Sequence, residues 1–317
     1  MNTGAVGSER PVVALTGATG FIGTELRHQL VAAGFRVRAL YRPRNGRAVQ
    51  SEDGLKWIAG DLSDRDALAA LVEGAHAVIH CAGSVRGATR ADFDRVNEQG
   101  VFDVVQAATA EPACKRFLLI SSLAAREPQL SDYAGSKWRG ERALQATAGE
   151  LAWSVLRPPA VYGPGDREML PLFRSMARGL APIPGDGHGR FSLIHVTDLA
   201  SAVLAWLEYG QGSGQTWELD DGHEQGYDWD TVLATASRVL RDNAPIRRLT
   251  IPAAWLRAVG SANLLGARLF GYAPMLTPGK VRELTHADWV CHGNDFTQAT
   301  GWRPALGFER GLANTVV

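Results

Sequence analysis

The stretch Thr16-Gly17-Ala18-Thr19-Gly20-Phe21-Ile22-Gly23 constrains this chain more than any other. It follows a short β-branched run, Pro11–Gly17, and opens a segment, Phe21–Ala33, in which Ile22, Leu26 and Leu30 fall on one helical face. Glycines spaced GxxGxxG at a strand-to-helix turn each have a separate task. Gly17 permits the tight turn off the strand, Gly20 lets backbone approach a pyrophosphate, and Gly23 lets the helix pack closely on the sheet. The free N–H groups and dipole at the helix start favour negative charge. Gly17, Thr19, Gly20, Phe21 and Ile22 are therefore candidate cofactor contacts.

The alternation continues. Strands are expected over 35–41, 56–59, 77–81, 116–121 and 153–156, and helices over 64–73, 91–110 and 133–148. Strands alternating with helices predict parallel βαβ units with right-handed crossovers, an α/β fold with a Rossmann-type doubly wound parallel sheet. Prolines and glycines cluster from Pro158 to Gly189, where loops and short helices are expected. Residues 192–195 and 216–219 read as strands returning to the main sheet, with a helix over 197–209 between them. From Asp228 the pattern is mostly helical, with a short basic strand near 246–250. The expected division is a dinucleotide-binding domain over 1–165, with return segments near 191–222. A smaller, mostly helical C-terminal substrate-binding lobe takes 166–190 and 223–317.

The end of the second strand reads Ala39-Leu40-Tyr41-Arg42-Pro43-Arg44. It offers no carboxylate for ribose hydroxyls, whereas the two arginines can meet a 2′-phosphate with charge-assisted bonds. NADP(H) is expected to be preferred over NAD(H), with Arg42 as the main contact. Asp61, beside Leu62 in Gly60-Asp61-Leu62, can accept from an adenine amine. In His80-Cys81-Ala82-Gly83 the small residues Ala82 and Gly83 admit a ribose.

Tyr133 and Lys137 are four apart at the start of a predicted helix and share a face. A phenol with pKa near ~10 is a poor base at neutral pH. A neighbouring ammonium and the nicotinamide charge stabilise its phenolate. Lys137 can also hold the nicotinamide ribose, and Ser122 can hydrogen-bond a substrate oxygen and stabilise developing alkoxide charge. Ser122, Tyr133 and Lys137 are the candidate catalytic residues.

Lys plus Arg and Asp plus Glu number 33 each, so the net charge is zero and no nucleic-acid partner is expected. Three cysteines at unmatched spacings argue against a disulfide framework and suit a reducing cytoplasm. Cys81 reads as packing rather than as a nucleophile. His188, His195 and His223 lack metal-ligand spacing, and no metal is assigned. The opening MNTGAVGSER has no apolar run, so no signal segment is expected. Arg257 and Arg268 interrupt the apolar stretch 251–270, and a spanning helix needs roughly 20 apolar residues. The expectation there is a buried core helix with a solvated basic rim. The alternative is peripheral contact with anionic lipid.

Eight pieces in order carry a resemblance: TGATGFIG at 16–23, GDL at 60–62, HCAG at 80–83, VNEQG at 96–100, SSLAA at 121–125, YAGSK at 133–137, RPPAVYGPGD at 157–166 and FSLIHVTDLA at 191–200. The chain resembles an extended short-chain dehydrogenase/reductase of the NAD(P)-dependent epimerase/dehydratase type. The resemblance implies Ser122, Tyr133 and Lys137 as the triad and Asn97 in a structural or relay role. It also implies Pro158 and Val161 as cofactor contacts and a homodimer through the helices of 91–110 and 133–148. Sugar-nucleotide members usually carry an Asn before VYGP and an Arg four residues before the HV pair. Here Ala160 and Phe191 stand there, with Arg190 one step off. The sequence is instead similar to hydroxysteroid-dehydrogenase-like and flavonol-reductase-like members, and to a proteobacterial ceramide-reductase-like group. That implies a bulky, lipid-like ketone or alcohol, such as a keto-sphingolipid precursor. The alternatives are a nucleotide-sugar epimerase or dehydratase, and a cofactor-bound subunit without turnover. Such subunits usually lose the Tyr or Lys that this chain keeps.

Overall fold

The computed structural model describes residues 11–43, 49, 52–210, 214–293 and 295–315. Residues 1–10, where no signal segment is expected, lie outside them, as does Arg44, the second arginine expected at a 2′-phosphate. Strands β1 (Val12–Thr16), β2 (Arg36–Tyr41), β3 (Leu55–Ala59), β4 (Ala77–His80), β5 (Arg116–Ile120) and β6 (Ala152–Arg157) alternate with helices α1 (Phe21–Ala32), α2 (Arg65–Val72), α3 (Arg90–Asp94), α4 (Gly100–Ala110) and α5 (Asp132–Thr147). There follow β7 (Ala160–Tyr162), α6 (Leu170–Ala177), β8 (Leu180–Pro184), β9 (Arg190–Phe191), β10 (Leu193–His195), α7 (Val196–Tyr209) and β11 (Gln215–Glu218). The chain closes with α8 (Trp229–Arg241), β12 (Arg247–Ile251), α9 (Ala253–Phe270), α10 (Pro278–Leu284), β13 (Asp288–Trp289), α11 (Asp295–Thr300) and α12 (Phe308–Thr315).

Seven strands form one parallel sheet in the order β11-β6-β5-β4-β1-β2-β3. The order reverses between β1 and β4, and ligands of such sheets bind at the carboxyl ends of the strands flanking that reversal. Successive strand residues face opposite sides. Leu118 and Ile120 of β5 join α1 and α7 in one core, where Leu26, Leu30, Leu199 and Trp206 are buried. Phe117 and Leu119 join α2, α4 and α5 in the other, with Leu68, Leu71, Val104 and Leu144. A third core packs Phe173, Ile183, Val232 and Phe308 under the C-terminal part.

Four expectations change. The helix expected over 91–110 is helical but interrupted, with a π turn at Arg95–Gln99 between α3 and α4. The strand at 192–195 does not return to the main sheet; β10 pairs with β7 instead. Pro158 and Pro159, which carry no N–H, end β6 and turn the chain off the sheet. The segment read as loops contains β8, which pairs in parallel with β12. The buried core helix expected over 251–272 is overturned. Helix α9 meets the protein along a narrow stripe of small residues, with only Gly260 and Ala267 buried, while Trp255 is 69% and Phe270 81% exposed. Among the described residues, no helix is long and apolar enough to cross a membrane.

Candidate active site

The turn from β1 to α1 has the form a dinucleotide requires. Gly17 adopts φ 73°, and a Cβ there would lie 2.6 Å from the Ala82 nitrogen at the end of β4. A Cβ on Gly23 would overlap the Gly17 carbonyl at 2.0 Å, so helix and loop touch backbone to backbone. Gly20 caps α1 without a capping side chain, and the first turn, which holds Phe21 and Ile22, has no acidic residue. The N–H groups at this helix start therefore have no competing side-chain anion, and the residues fit a bound pyrophosphate. The Thr16 Oγ1 accepts from the Ala82 N–H at 3.2 Å and lies 3.1 Å from His80 Nδ1, tying the ends of β1 and β4 together. Burial, with the nearby Lys137 charge, lowers the His80 imidazole to about 3, so it is neutral.

Arg42 is exposed just beyond β2. It is close enough to Asp61 to help hold that carboxyl below the usual range, after the larger effect of hydrogen bonds from Ser63. Asp61 Oδ1 accepts from the Ser63 N–H at 2.8 Å and hydroxyl at 2.6 Å. Leu62 packs against the core beneath α4. Pro158 is buried, its carbonyl accepting from the Leu123 N–H at 2.8 Å, and Val161 packs against the core that holds α1.

Helix α5 starts at Ser131, whose hydroxyl accepts from the Ala134 N–H at 2.9 Å. Tyr133 and Lys137 follow on its first turns. Ser122 leaves β5 and opens a 3₁₀ turn at Leu123–Arg126, its Oγ accepting from the Ala124 N–H at 3.2 Å. Burial raises the Tyr133 phenol, while the neighbouring Ser122 hydroxyl and the charge of Lys280 act in the opposite sense. Lys137 Nζ donates to the Ile120 carbonyl at 2.9 Å. An ammonium has three donors, so two remain for a ribose. Gly83 is beside it: a Cβ there would meet Lys137 Nζ at 3.7 Å. Burial draws the Lys137 ammonium down to about 8, against the opposing charge of the Glu141 carboxylate. Burial also pushes the Cys81 thiol up to about 12, which argues against a nucleophile.

Several further residues hold this arrangement; the resemblance pointed to Asn97, whereas Glu141, Lys280 and Glu283 were not singled out by the sequence. Glu141, buried on α5, takes the Arg157 guanidinium in a fork with contacts of 2.9 and 2.6 Å and accepts from Ser121 at 2.5 Å. This pins α5 to the carboxyl ends of β5 and β6. Its signal was present, since Tyr133, Lys137 and Glu141 recur every fourth residue. Asn97, inside the π turn, donates to the Ser84 carbonyl and to Ser136 Oγ, each at 2.9 Å, and accepts from the Ser84 N–H at 2.8 Å. From α10, Lys280 places its Nζ 5.8 Å from the centre of the Tyr133 ring. Lys280 pairs with Glu283 at 2.8 Å, and Ser131 donates to the same carboxylate. Nothing in sequence spacing links α10 to α5. The pocket in front of Tyr133 is lined by the apolar Phe93, Leu264, Pro274 and Met275 together with the charged Lys280 and Glu283.

The family model described as "NAD dependent epimerase/dehydratase family" matches residues 13–219. The chain belongs to this family. Within the epimerase/dehydratase family it is 36% identical over 308 residues to "Ceramide reductase" of Caulobacter vibrioides, covering 97% of this chain and 94% of that protein. It is 25% identical to "UDP-glucose 4-epimerase" of Vibrio cholerae, over 96% of this chain and 94% of the relative. The solved structure "MoeE5 in complex with UDP-glucuronic acid and NAD" superposes with TM-score 0.72 at 22% identity, over 96% of this chain and 97% of that one. The family and its reductase relatives make this chain an NAD(P)-dependent oxidoreductase-type enzyme. Arg190, the arginine displaced from the sugar-nucleotide position, donates to the Gln225 and Gly226 carbonyls and pairs with Asp228. Among the described residues, no group of three or more His, Cys, Asp or Glu side chains could hold a metal ion.

Proposed function

We propose that this enzyme uses NADP(H) to interconvert a ketone and a secondary alcohol on a bulky, lipid-like substrate, with a keto-sphingolipid or ceramide precursor as the leading candidate. The observation that carries this reading is the pocket in front of Tyr133, where Phe93, Leu264, Pro274 and Met275 give apolar surface beside the charged Lys280 and Glu283. The 36% identity to a ceramide reductase supports the same substrate class. Ser122 hydrogen-bonds the substrate oxygen and stabilises developing alkoxide charge, and Tyr133 gives or takes the proton at that oxygen. Lys137 holds the nicotinamide ribose and favours the phenolate. The nicotinamide, when bound, supplies or accepts the hydride. Gly17, Thr19, Gly20, Phe21 and Ile22 cradle the pyrophosphate, Arg42 meets the 2′-phosphate, and Asp61, Leu62, Ala82, Gly83, Pro158 and Val161 line the adenosine and ribose walls.

In this reading residues 1–165, with the return segments near 191–222, bind the cofactor, and 166–190 with 223–317 shape the substrate site. The enzyme is cytoplasmic, peripheral at the inner membrane face, and dimeric through α4 and α5. Phe102 on α4 is 37% and Trp138 on α5 41% exposed, which supports that interface.

The test follows NADPH absorbance with a long-chain keto-sphingoid or ceramide, a 3-keto steroid and UDP-glucose, each against NADH. Oxidation of NADPH by the keto lipid, reduced roughly 10²- to 10⁴-fold in Tyr133→Phe, is the expected result. Conversion of the nucleotide sugar without net cofactor change, and no ketone reduction, overturns the reading in favour of an epimerase.

A further inference from the structure

Helix α9 carries a large apolar face that the protein leaves uncovered. Trp255, Val259, Leu265, Leu269 and Phe270 are 69%, 53%, 61%, 71% and 81% exposed. At 100° per residue they fall within an arc of about 140°. The opposite side is anchored. A Cβ on Gly260 would meet the Thr277 backbone at 3.0 Å, and Asn263 Nδ2 donates to the Leu276 carbonyl at 2.9 Å. The exposed face is therefore a fixed feature of a docked helix, well beyond the scattered apolar residues of an ordinary surface.

Charge narrows what can cover it. From Asn243 to Arg282 the chain carries Arg247, Arg248, Arg257, Arg268, Lys280 and Arg282 and no Asp or Glu, although both signs number 33 in the whole chain. Arg248 is paired with Asp230 and Lys280 with Glu283. Among the described residues, Arg257 and Arg268 have no acidic partner. Both stand on one flank of the helix, about 80° and 60° beyond the Leu265 edge of the apolar arc. A two-fold contact between copies would set this face against itself and bring basic residues together without acids to answer them. An apolar stripe with aromatic ends and a basic flank instead matches the plane of an anionic bilayer, where rings sit at headgroup level and long arginine side chains reach lipid phosphate.

The helix also reaches the active site, with its other side: Leu264 and Arg268, turned away from the apolar arc, line the pocket that contains Tyr133 together with Met275, which is 41% exposed. We propose that the outward face of α9 docks on an anionic lipid bilayer and holds the mouth of the Tyr133 pocket at the membrane surface, so that a lipid substrate enters without crossing water. The entry route rests on the lipid-ketone reading; the docking does not.

The test uses the full chain with vesicles of phosphatidylglycerol mixed into phosphatidylcholine, and with phosphatidylcholine alone. Co-sedimentation with the anionic vesicles at low salt, weakened by added salt, is expected. A blue shift of tryptophan emission should accompany it and shrink in Trp255→Phe. The double variant Leu269→Glu/Phe270→Glu, altered at exposed positions outside the pocket, should bind about tenfold more weakly. It should keep its turnover of a short, water-soluble ketone. No vesicle binding at low salt, or binding indifferent to that double variant, overturns the proposal. So does a dimer that the double variant dissociates while vesicles bind neither protein, which would assign the face to a second copy. Vesicle binding without reduction of any keto lipid would leave the docking intact and reject the substrate reading alone.

Discussion

Lys280 of α10 lies with its Nζ 5.8 Å from the ring centre of Tyr133, so the candidate catalytic phenol is approached by a cation from across the pocket, while Lys137 on its own helix donates to the Ile120 carbonyl. The Lys280 charge opposes the burial that raises the Tyr133 phenol, while Glu283 adds to the rise. Lys280→Met removes the favourable charge and leaves Glu283 unanswered, so the phenol pKa goes up. Alcohol oxidation needs the phenolate, and its acid limb should move to higher pH by roughly one unit. Glu283→Gln should move it the opposite way. Rate profiles over pH at saturating cofactor decide; an unmoved limb in both variants means that neither charge reaches the phenol.

Arg42→Ala should raise the KM for NADPH by about 10- to 100-fold, the cost of charge-assisted bonds to a 2′-phosphate. The KM for NADH should hardly change. Steady-state kinetics with both cofactors checks it, and equal effects on the two would reject the assignment.

Gly23→Ala forces a methyl onto the Gly17 carbonyl, which leaves no room for it. Overpacking of this kind costs about 1–3 kcal/mol. It also splays the turn that would cradle the phosphates. Urea denaturation should show the loss in the free protein, and titration with NADPH should show weakened binding beyond it.

The neutral, buried His80 sets an acid limit. Its imidazole is held at about 3 in the folded chain against 6.5 as a free side chain. Unfolding therefore takes up a proton as pH falls below 6.5. The stability present above that value is lost at about 1.4 kcal/mol per pH unit down to about 3. His80→Gln should flatten part of this slope between pH 6.5 and 4, as read from denaturation midpoints at several pH values. A parallel slope would show that other groups carry the acid response.

The parts legible in the sequence are those with local causes. Gly17, Gly20 and Gly23 mark the β1–α1 turn because no side chain fits there. The central strands β1, β4 and β5 are short apolar runs buried on both sides, and Tyr133 and Lys137 share a face through helical spacing alone. The rest depends on partners distant in the chain. Strand β8 contains Pro182 and Pro184, which read as breakers, yet a two-stranded pairing with β12 tolerates them. The apolar residues of α9 suggested burial because hydrophobicity says what a helix can bury and nothing about whether a neighbour is there to cover it. Lys280 and Glu283 were invisible for the same reason.

Gly140 of α5 sits so close to the π turn that an added Cβ would lie 2.0 Å from the Asn97 carbonyl oxygen. Together with the Glu141–Arg157 fork, this seats the helix bearing Tyr133 and Lys137 as a fixed anvil, without play along its axis. Adjustment to substrates of different girth then falls to the opposing jaw, α9 and α10, which meets the rest of the protein through few buried side chains. Variation among related enzymes in chain length or headgroup preference should accordingly accumulate in 253–284, and the geometry around Asn97 and Gly140 should stay constant.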